Sequence, residues 1–282
     1  MEWLTQISPM RAFSARARRA AQRVGLVPTM GALHEGHLSL VRRARDQSDL
    51  VVVSIFVNPT QFGPTEDYGQ YPRNPEQDMR MLGPLGVDAV FAPEAGDVYP
   101  PGFDTWVEPG TEAEPMEGAS RPGHFRGVAT VVLKLLNIVQ PHAAYFGQKD
   151  YQQMVVVRRM VGDLNLEIDI VVGPIVREED GLALSSRNVC LKGDDRKAAR
   201  VLSCSLKKAE TMAASGERDA EKIVAEMKKI FAAEPRAQLD YAEIVDGETL
   251  APLKRLQPGS VALVAAHVGP TRLIDNTILE IT

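Results

Sequence analysis

Along the first 170 residues, short β-branched apolar runs alternate with stretches whose apolar positions recur every three or four residues. Residues 24–28 and 50–57 read as strands, and between them Leu38, Val41 and Arg45 follow helical spacing with Leu40 and Ala44 beside them. The unit recurs. A polar helix near 76–82 precedes a strand at 87–92, a helix at 127–139 precedes one at 143–146, and a helix at 151–161 precedes one at 167–172. Strands alternating with helices predict an α/β fold, a Rossmann-like doubly wound parallel sheet whose ligands sit at the carboxyl ends of the strands. Chemistry is therefore expected in the loops 28–37, 58–74 and 147–153, each of which follows a predicted strand. After about Val176 the texture changes to Lys/Glu/Ala-rich helices near 194–214 and 220–232, then strands near 239–245, 261–267 and 273–281. The pattern predicts a catalytic domain over 1–175 and a smaller α+β domain over 176–282 that closes over the site. Loops 58–74 and 93–125 are rich in Pro and Gly, and loops that long are usually functional or mobile; one of them is expected to act as a lid.

Composition removes whole classes of function. With 282 residues, 44% hydrophobic and 24% charged, the chain has the makings of a globular protein, and 32 basic residues against 37 acidic ones leave a net charge of −5. That balance gives no overall field for a polyanion, so nucleic acid is not the expected partner. Arg11, Arg16, Arg18, Arg19 and Arg23 near the start accompany no apolar leader core, and no later segment is long and apolar enough for a membrane span. A cytoplasmic protein with no membrane partner is expected. Cys190 and Cys204 are the only thiols, too few for a disulfide framework or a zinc site.

The first candidate site is Met30-Gly31-Ala32-Leu33-His34-Glu35-Gly36-His37, where a strand ends, the chain turns on Gly31 and a helix begins near Gly36. A helix N-terminus offers unpaired N–H groups and the positive end of a dipole, which suits a phosphate. His34 and His37, three apart, bring both imidazoles to one side of the first turn, where they can stabilise charge developing on a leaving pyrophosphate. Gly36 lets a nucleotide approach the backbone. The alternatives are two surface histidines at a helix start, or a zinc pair that lacks an obvious third ligand. The second site is Leu184-Ser185-Ser186-Arg187, two hydroxyls and a guanidinium that would pass alone for a polar turn. Together the two resemble the HIGH and KMSKS signatures of the adenylyl-transferring superfamily.

The resemblance becomes specific in 27–37, Asn58-Pro59-Thr60-Gln61-Phe62, Gly123-His124-Phe125-Arg126-Gly127-Val128, Gly147-Gln148-Lys149-Asp150-Tyr151-Gln152-Gln153 and 176–188. In order and spacing these resemble the pantothenate synthetase family, AMP-forming pantoate–β-alanine ligases. The resemblance implies a homodimeric cytoplasmic ligase that takes ATP, with Mg²⁺, to a pantoyl-adenylate and then to pantothenate. It implies His34, Gly36, His37, Lys149, Ser185, Ser186 and Arg187 around the ATP phosphates, and Gly147, Asp150, Val176 and Leu184 at ribose and adenine. Met30, Asn58, Gln61 and Gln153 would hold pantoate; Gly31, Ala32, Leu33, Glu35 and Gln148 complete the nucleotide set. Glu117 and Arg121 would help to close the pocket. The sequence departs from many relatives at Leu184, where Met is common, and at Gln148, often acidic. From the residues alone, Gln61 could equally be a turn-stabilising amide, Gln153 a solvent-facing helix residue and Lys149 an exposed loop lysine. Two other readings stay open: a nucleotidylyltransferase with a phosphorylated acceptor, against which the amides Asn58, Gln61 and Gln153 weigh, and a nucleotide-sensing module without turnover.

Overall fold

A computed structural model describes all residues except Thr65, Asp67 and Thr282; the first two lie inside the loop 58–74, so that part of one of the two candidate lids falls outside the described residues. In chain order the strands are β1 Glu2–Leu4, β2 Val24–Thr29, β3 Leu50–Ile55, β4 Ala89–Phe91, β5 Ala143–Gly147, β6 Asp169–Gly173, β7 Ala237–Asp246, β8 Ser260–Val268 and β9 Thr271–Ile278. The α-helices are α1 Ile7–Arg19, α2 Glu35–Gln47, α3 Pro75–Leu82, α4 Ala95–Val98, α5 Glu117–Ser120, α6 His124–Val139, α7 Tyr151–Asp163, α8 Gly193–Ala198, α9 Val201–Ala214 and α10 Ala220–Ala232.

Two compact units divide the chain. The first comprises 1–147 and 156–174, and the second 148–155 and 175–282. In the first, six parallel strands run in the order β1-β4-β3-β2-β5-β6. Side chains alternate across this sheet as the strand period requires. Leu26, Val52, Phe91 and Phe146 face a core with α1, α6 and α7, whereas Val27, Val53, Val90 and Tyr145 face α2 and α3. Helices on both faces make the predicted doubly wound fold.

Strand order reverses at β2, and the seam there is short. β2 pairs with β3 over six residues but with β5 only at Gly25↔Ala143 and Leu26↔Ala144. The ends at Thr29 and Gly147 therefore lack the ladder that binds the rest of the sheet. This is the switch point at which doubly wound sheets bind ligands.

The sequence reading passed over β1 and α1. In α1 the buried stripe is Met10, Phe13, Ser14 and Ala17, two of them small, and the arginines between them mask the period. The loop 93–125 also carries structure, with α4, α5 and the first turn of α6 inside it. In the second unit the expected helix 194–214 is two, α8 and α9, separated at Ala199 and Arg200. There the backbone tightens to three-residue hydrogen bonds, Arg200 N–H to Lys197 O and Leu202 N–H to Ala199 O. The antiparallel sheet β7-β8-β9 packs Ile244, Val264 and Leu273 against Leu206, Ile223 and Met227 of α9 and α10. Residues 148–155 belong with this unit because their partners do: Asn276 bonds the carbonyls of Gln148 and Lys149, and the Tyr151 hydroxyl donates to Gly247 O at 3.1 Å.

Candidate functional site

The loop after β2 is held by four hydrogen bonds. Thr29 Oγ1 donates to Ser54 O at 2.8 Å and accepts from Gly31 N–H at 3.1 Å. Gly31 and Ala32 then both take positive φ, 78° and 50°. A Cβ on Gly31 would stand 3.0 Å from both Asp78 Oδ2 and Ile55 Cγ2, so glycine is needed for space as well as for φ. Ala32 has no such freedom, and its left-handed backbone costs about 1 kcal/mol. Asp78, 2% exposed on the first turn of α3, offsets that cost by accepting the N–H groups of Ala32 at 3.1 Å and Leu33 at 2.8 Å. Burial raises the Asp78 carboxyl above its ordinary value, and the two N–H donors oppose the rise. Sequence reasoning missed this residue. Its signal was an acidic side chain in the first turn of a helix read only as polar.

His34 is the N-cap of α2. Its Nδ1 accepts from Gly36 N–H at 3.2 Å, and His37 Nδ1 accepts from His34 N–H at 3.3 Å, which closes a reciprocal capping box. The ring centroids are 4.1 Å apart. Because both Nδ1 atoms accept backbone hydrogens, each neutral ring carries its proton on Nε2, so the pair presents ring N–H donors beside the helix N-terminus. Glu35 is tied to Arg42, whose hydrogen bond lowers its carboxyl below the ordinary range.

Asn58, 1% exposed, is saturated by the protein. Its Nδ2 donates to Gln61 Oε1 at 3.2 Å and Gly127 O at 3.1 Å, and its Oδ1 accepts from Thr60 Oγ1 at 2.9 Å and the Tyr99 hydroxyl at 2.8 Å. Gln61 turns its Nε2 to Met30 Sδ at 3.1 Å. α6 reaches this turn because residue 127 is glycine; a Cβ there would lie 2.3 Å from Thr60 O. A second missed group fixes the same turn. His124, 8% exposed, directs Nδ1 to Gln61 O at 2.8 Å and Nε2 to Arg121 Nη1 at 3.1 Å, and Arg121 pairs with Glu66 at 2.6 Å and lies 3.8 Å from Glu117. Burial, reinforced by the Arg121 charge, pushes the His124 pKa down to about 4, so the ring is neutral, donating from Nδ1 and accepting at Nε2. Glu117 and Arg121 thus form part of a largely buried network.

The remaining residues singled out by sequence lie in the second unit, apart from Gly147, which ends β5. Lys149 sits in the turn Gln148–Asp150 with its side chain 20% exposed and Nζ 3.7 Å from Asp150 Oδ1. Gln153 stands half-buried on α7. Val176 O accepts Leu184 N–H at 2.9 Å in a tight hairpin that turns at Gly181, with φ of 93°. Ser185 caps the short helix Ser186–Cys190 by accepting Arg187 N–H at 3.2 Å. The fold therefore brings Met30, Gln61 and Asn58 together with one another, and seats Leu184, Ser185, Ser186 and Arg187 on one hairpin arm. Among the described residues no three His, Cys, Asp or Glu side chains converge to hold a metal, and no helix is long and apolar enough to cross a membrane.

Comparison with known proteins bears on this arrangement directly. The family model described as pantoate-beta-alanine ligase matches residues 2–278. A pantothenate synthetase of Thermotoga petrophila is 56% identical over 279 residues, 99% of this chain and 100% of that protein, and one of Roseiflexus castenholzii is 56% identical over 94% of this chain and 96% of its own. The crystal structure of pantothenate synthetase from Thermus thermophilus superposes with a TM-score of 0.94 at 48% identity, covering 99% of both chains. Pantoate-beta-alanine ligase from Francisella tularensis, complexed with beta-gamma ATP and beta-alanine, is similar at 36% identity with a TM-score of 0.82 over 99% of this chain and 97% of that one. With the match running end to end in both sequence and fold, the chain belongs to the pantoate-beta-alanine ligase family.

Proposed function

We propose that the chain condenses pantoate with β-alanine to give pantothenate, AMP and pyrophosphate through a pantoyl-adenylate. The observation that carries the residue assignments is the His34–His37 capping box at the switch point, which fixes two imidazoles at a helix N-terminus. Pantoate is already ionised near neutral pH, so attack of its carboxylate oxygen on the α-phosphorus of ATP needs no general base. It needs alignment and positive charge around the phosphates. We assign His34, His37, Gly36, Lys149, Ser185, Ser186 and Arg187 to the phosphates, and Gly147, Asp150, Val176 and Leu184 to the nucleoside. Met30, Gln61 and Gln153 receive pantoate, and Asn58 serves by fixing the amide of Gln61. In the second half-reaction the β-alanine nitrogen attacks the acyl carbon and AMP leaves.

Mg²⁺ suits these residues as an ion carried in on the phosphates, since Asp150, the carboxylate of the lysine turn, is already 3.7 Å from an ammonium. When bound it would neutralise phosphate oxygens while water completes its shell. The family resemblance also supports a homodimer in the cytoplasm; equilibrium sedimentation tests the dimer.

The test of function is exchange of labelled pyrophosphate into ATP, with Mg²⁺ and without β-alanine. Exchange that requires pantoate supports the adenylate step, and adding β-alanine then yields pantothenate and AMP. No exchange at saturating ATP and pantoate would sink the mechanism.

A further inference from the structure

The turn carrying Lys149 is fastened by a residue far along the chain. Asn276, on β9 and 1% exposed, donates both Nδ2 hydrogens to backbone carbonyls, Gln148 O at 3.0 Å and Lys149 O at 2.9 Å. Its Oδ1 accepts the Gln148 side-chain amide at 3.2 Å. The two carbonyl partners can be met only by an NH₂ group, so they dictate which way the amide points. Asp275, next to it and 3% exposed, receives two bonds from Arg177 at 2.7 and 3.0 Å, and Arg177 donates in turn to Asn276 O at 3.2 Å and Gly181 O at 3.0 Å. Arg177 and Gly181 belong to the hairpin that leads into Leu184, Ser185, Ser186 and Arg187. Two consecutive residues of one strand thus secure both segments of this unit that we assign to the nucleotide.

We propose that Asn276 is a positioning residue for Lys149, setting the backbone from which its ammonium reaches the phosphates. The proposal rests on the assignment of Lys149 made above. A lysine is a point charge on a flexible four-carbon stem, and such a charge acts at a defined place only if its Cα is fixed. Displacement of about 1 Å at a reacting centre can cost on the order of 100-fold in rate. Asn276 holds the carbonyls on both sides of the Lys149 nitrogen, which leaves the turn little freedom to shift. Gln148 uses its side-chain amide on the same asparagine and so belongs to the support of the turn.

The test is a double-mutant cycle on pyrophosphate exchange with Asn276→Ala and Lys149→Ala, alongside melting temperatures and the KM for pantoate. Asn276→Ala should lower the exchange rate about tenfold with the KM for pantoate unchanged, and should change the rate less than about twofold once Lys149 is already alanine. The same factor in both backgrounds overturns the proposal, as does full exchange by the single variant. Lys149→Ala alone with full exchange overturns instead the assignment of Lys149 to the phosphates. Should the alanine variant fail to fold, Asn276→Asp, of equal size but without the donors, carries the same cycle. Loss of folding in both would make Asn276 a residue of the fold and overturn its positioning role.

Discussion

The histidine loop and the lysine turn, which we assign to the same phosphates, are built in opposite ways. His34 and His37 orient each other within three residues, through a capping box that the helix start itself provides. Lys149 is oriented from Asn276, 127 positions away. A self-capped motif keeps its geometry wherever a strand delivers it, whereas a turn held from a distant strand is only as well placed as the domain that holds it. On the assignments proposed above, the phosphates would be met by one locally built device and one tertiary one.

The largest expected effect separates the two. His37→Ala and Lys149→Ala should each lower pyrophosphate exchange by about 10²- to 10³-fold while weakening ATP binding far less, because their contribution grows as charge develops on the phosphates. Only His37→Ala should also lose stability, by about 1 kcal/mol, since it removes half of a helix cap. Thermal denaturation of the two variants measures this. An equal loss in both would show that Lys149 is as much a part of its local structure as His37 is of its cap, and the contrast would collapse.

That contrast also explains what could be read from the sequence. Five of the six strands of the sheet, all but β1, were legible because residues such as Val27, Val52, Val53 and Phe146 lie in apolar runs bounded by turns, and the histidine motif because its partners are neighbours in the chain. α1 was not, because its buried face uses Ser14 and Ala17, which carry little hydrophobic signal. The supports were not either. Asp78 is 45 residues from Leu33, and His124 is 63 from Gln61, so only the folded chain brings each to the backbone it holds. Asp275 and Asn276 left one trace, an adjacent polar pair that follows Leu273 and Ile274 within a strand, where alternation would expose at most one.

His124 extends the comparison to the Gln61 turn. Its folded pKa of about 4 lies below the ordinary 6.5. The unfolded chain therefore binds this proton more readily, and the neutral ring's contribution is fully present above pH 6.5 and lost as pH falls towards 4. The loss amounts to about 3 kcal/mol for this group. His124→Gln, which keeps a donor for Gln61 O and an acceptor for Arg121, should flatten the stability profile over that window in urea titrations. An unchanged profile would mean that the nearby carboxylates, not the ring, set the acid sensitivity. Next in size is Asp78→Ala, which leaves the N–H groups of Ala32 and Leu33 without their acceptor and should cost about 2 kcal/mol of unfolding free energy. Exchange should fall with it, since the same carboxylate shapes the approach to His34; retention of full exchange would show that the capping box holds the histidines unaided.

The smallest effect tests whether backbone or side chain meets the nucleoside. Leu184 gives its N–H to Val176 O at 2.9 Å, and that hairpin bond is independent of the side chain. Met and Leu fill nearly the same volume, so Leu184→Met should change stability by less than about 1 kcal/mol. If adenine is recognised by main-chain groups of this hairpin, the affinity for ATP, read by calorimetry, stays within about twofold of the parent, which is under about 0.5 kcal/mol. A larger shift in either direction would assign the contact to the side chain. Leu184 would then join the remotely supported group, because the placement of its side chain depends on the hairpin that Arg177 ties to Asp275 and Asn276.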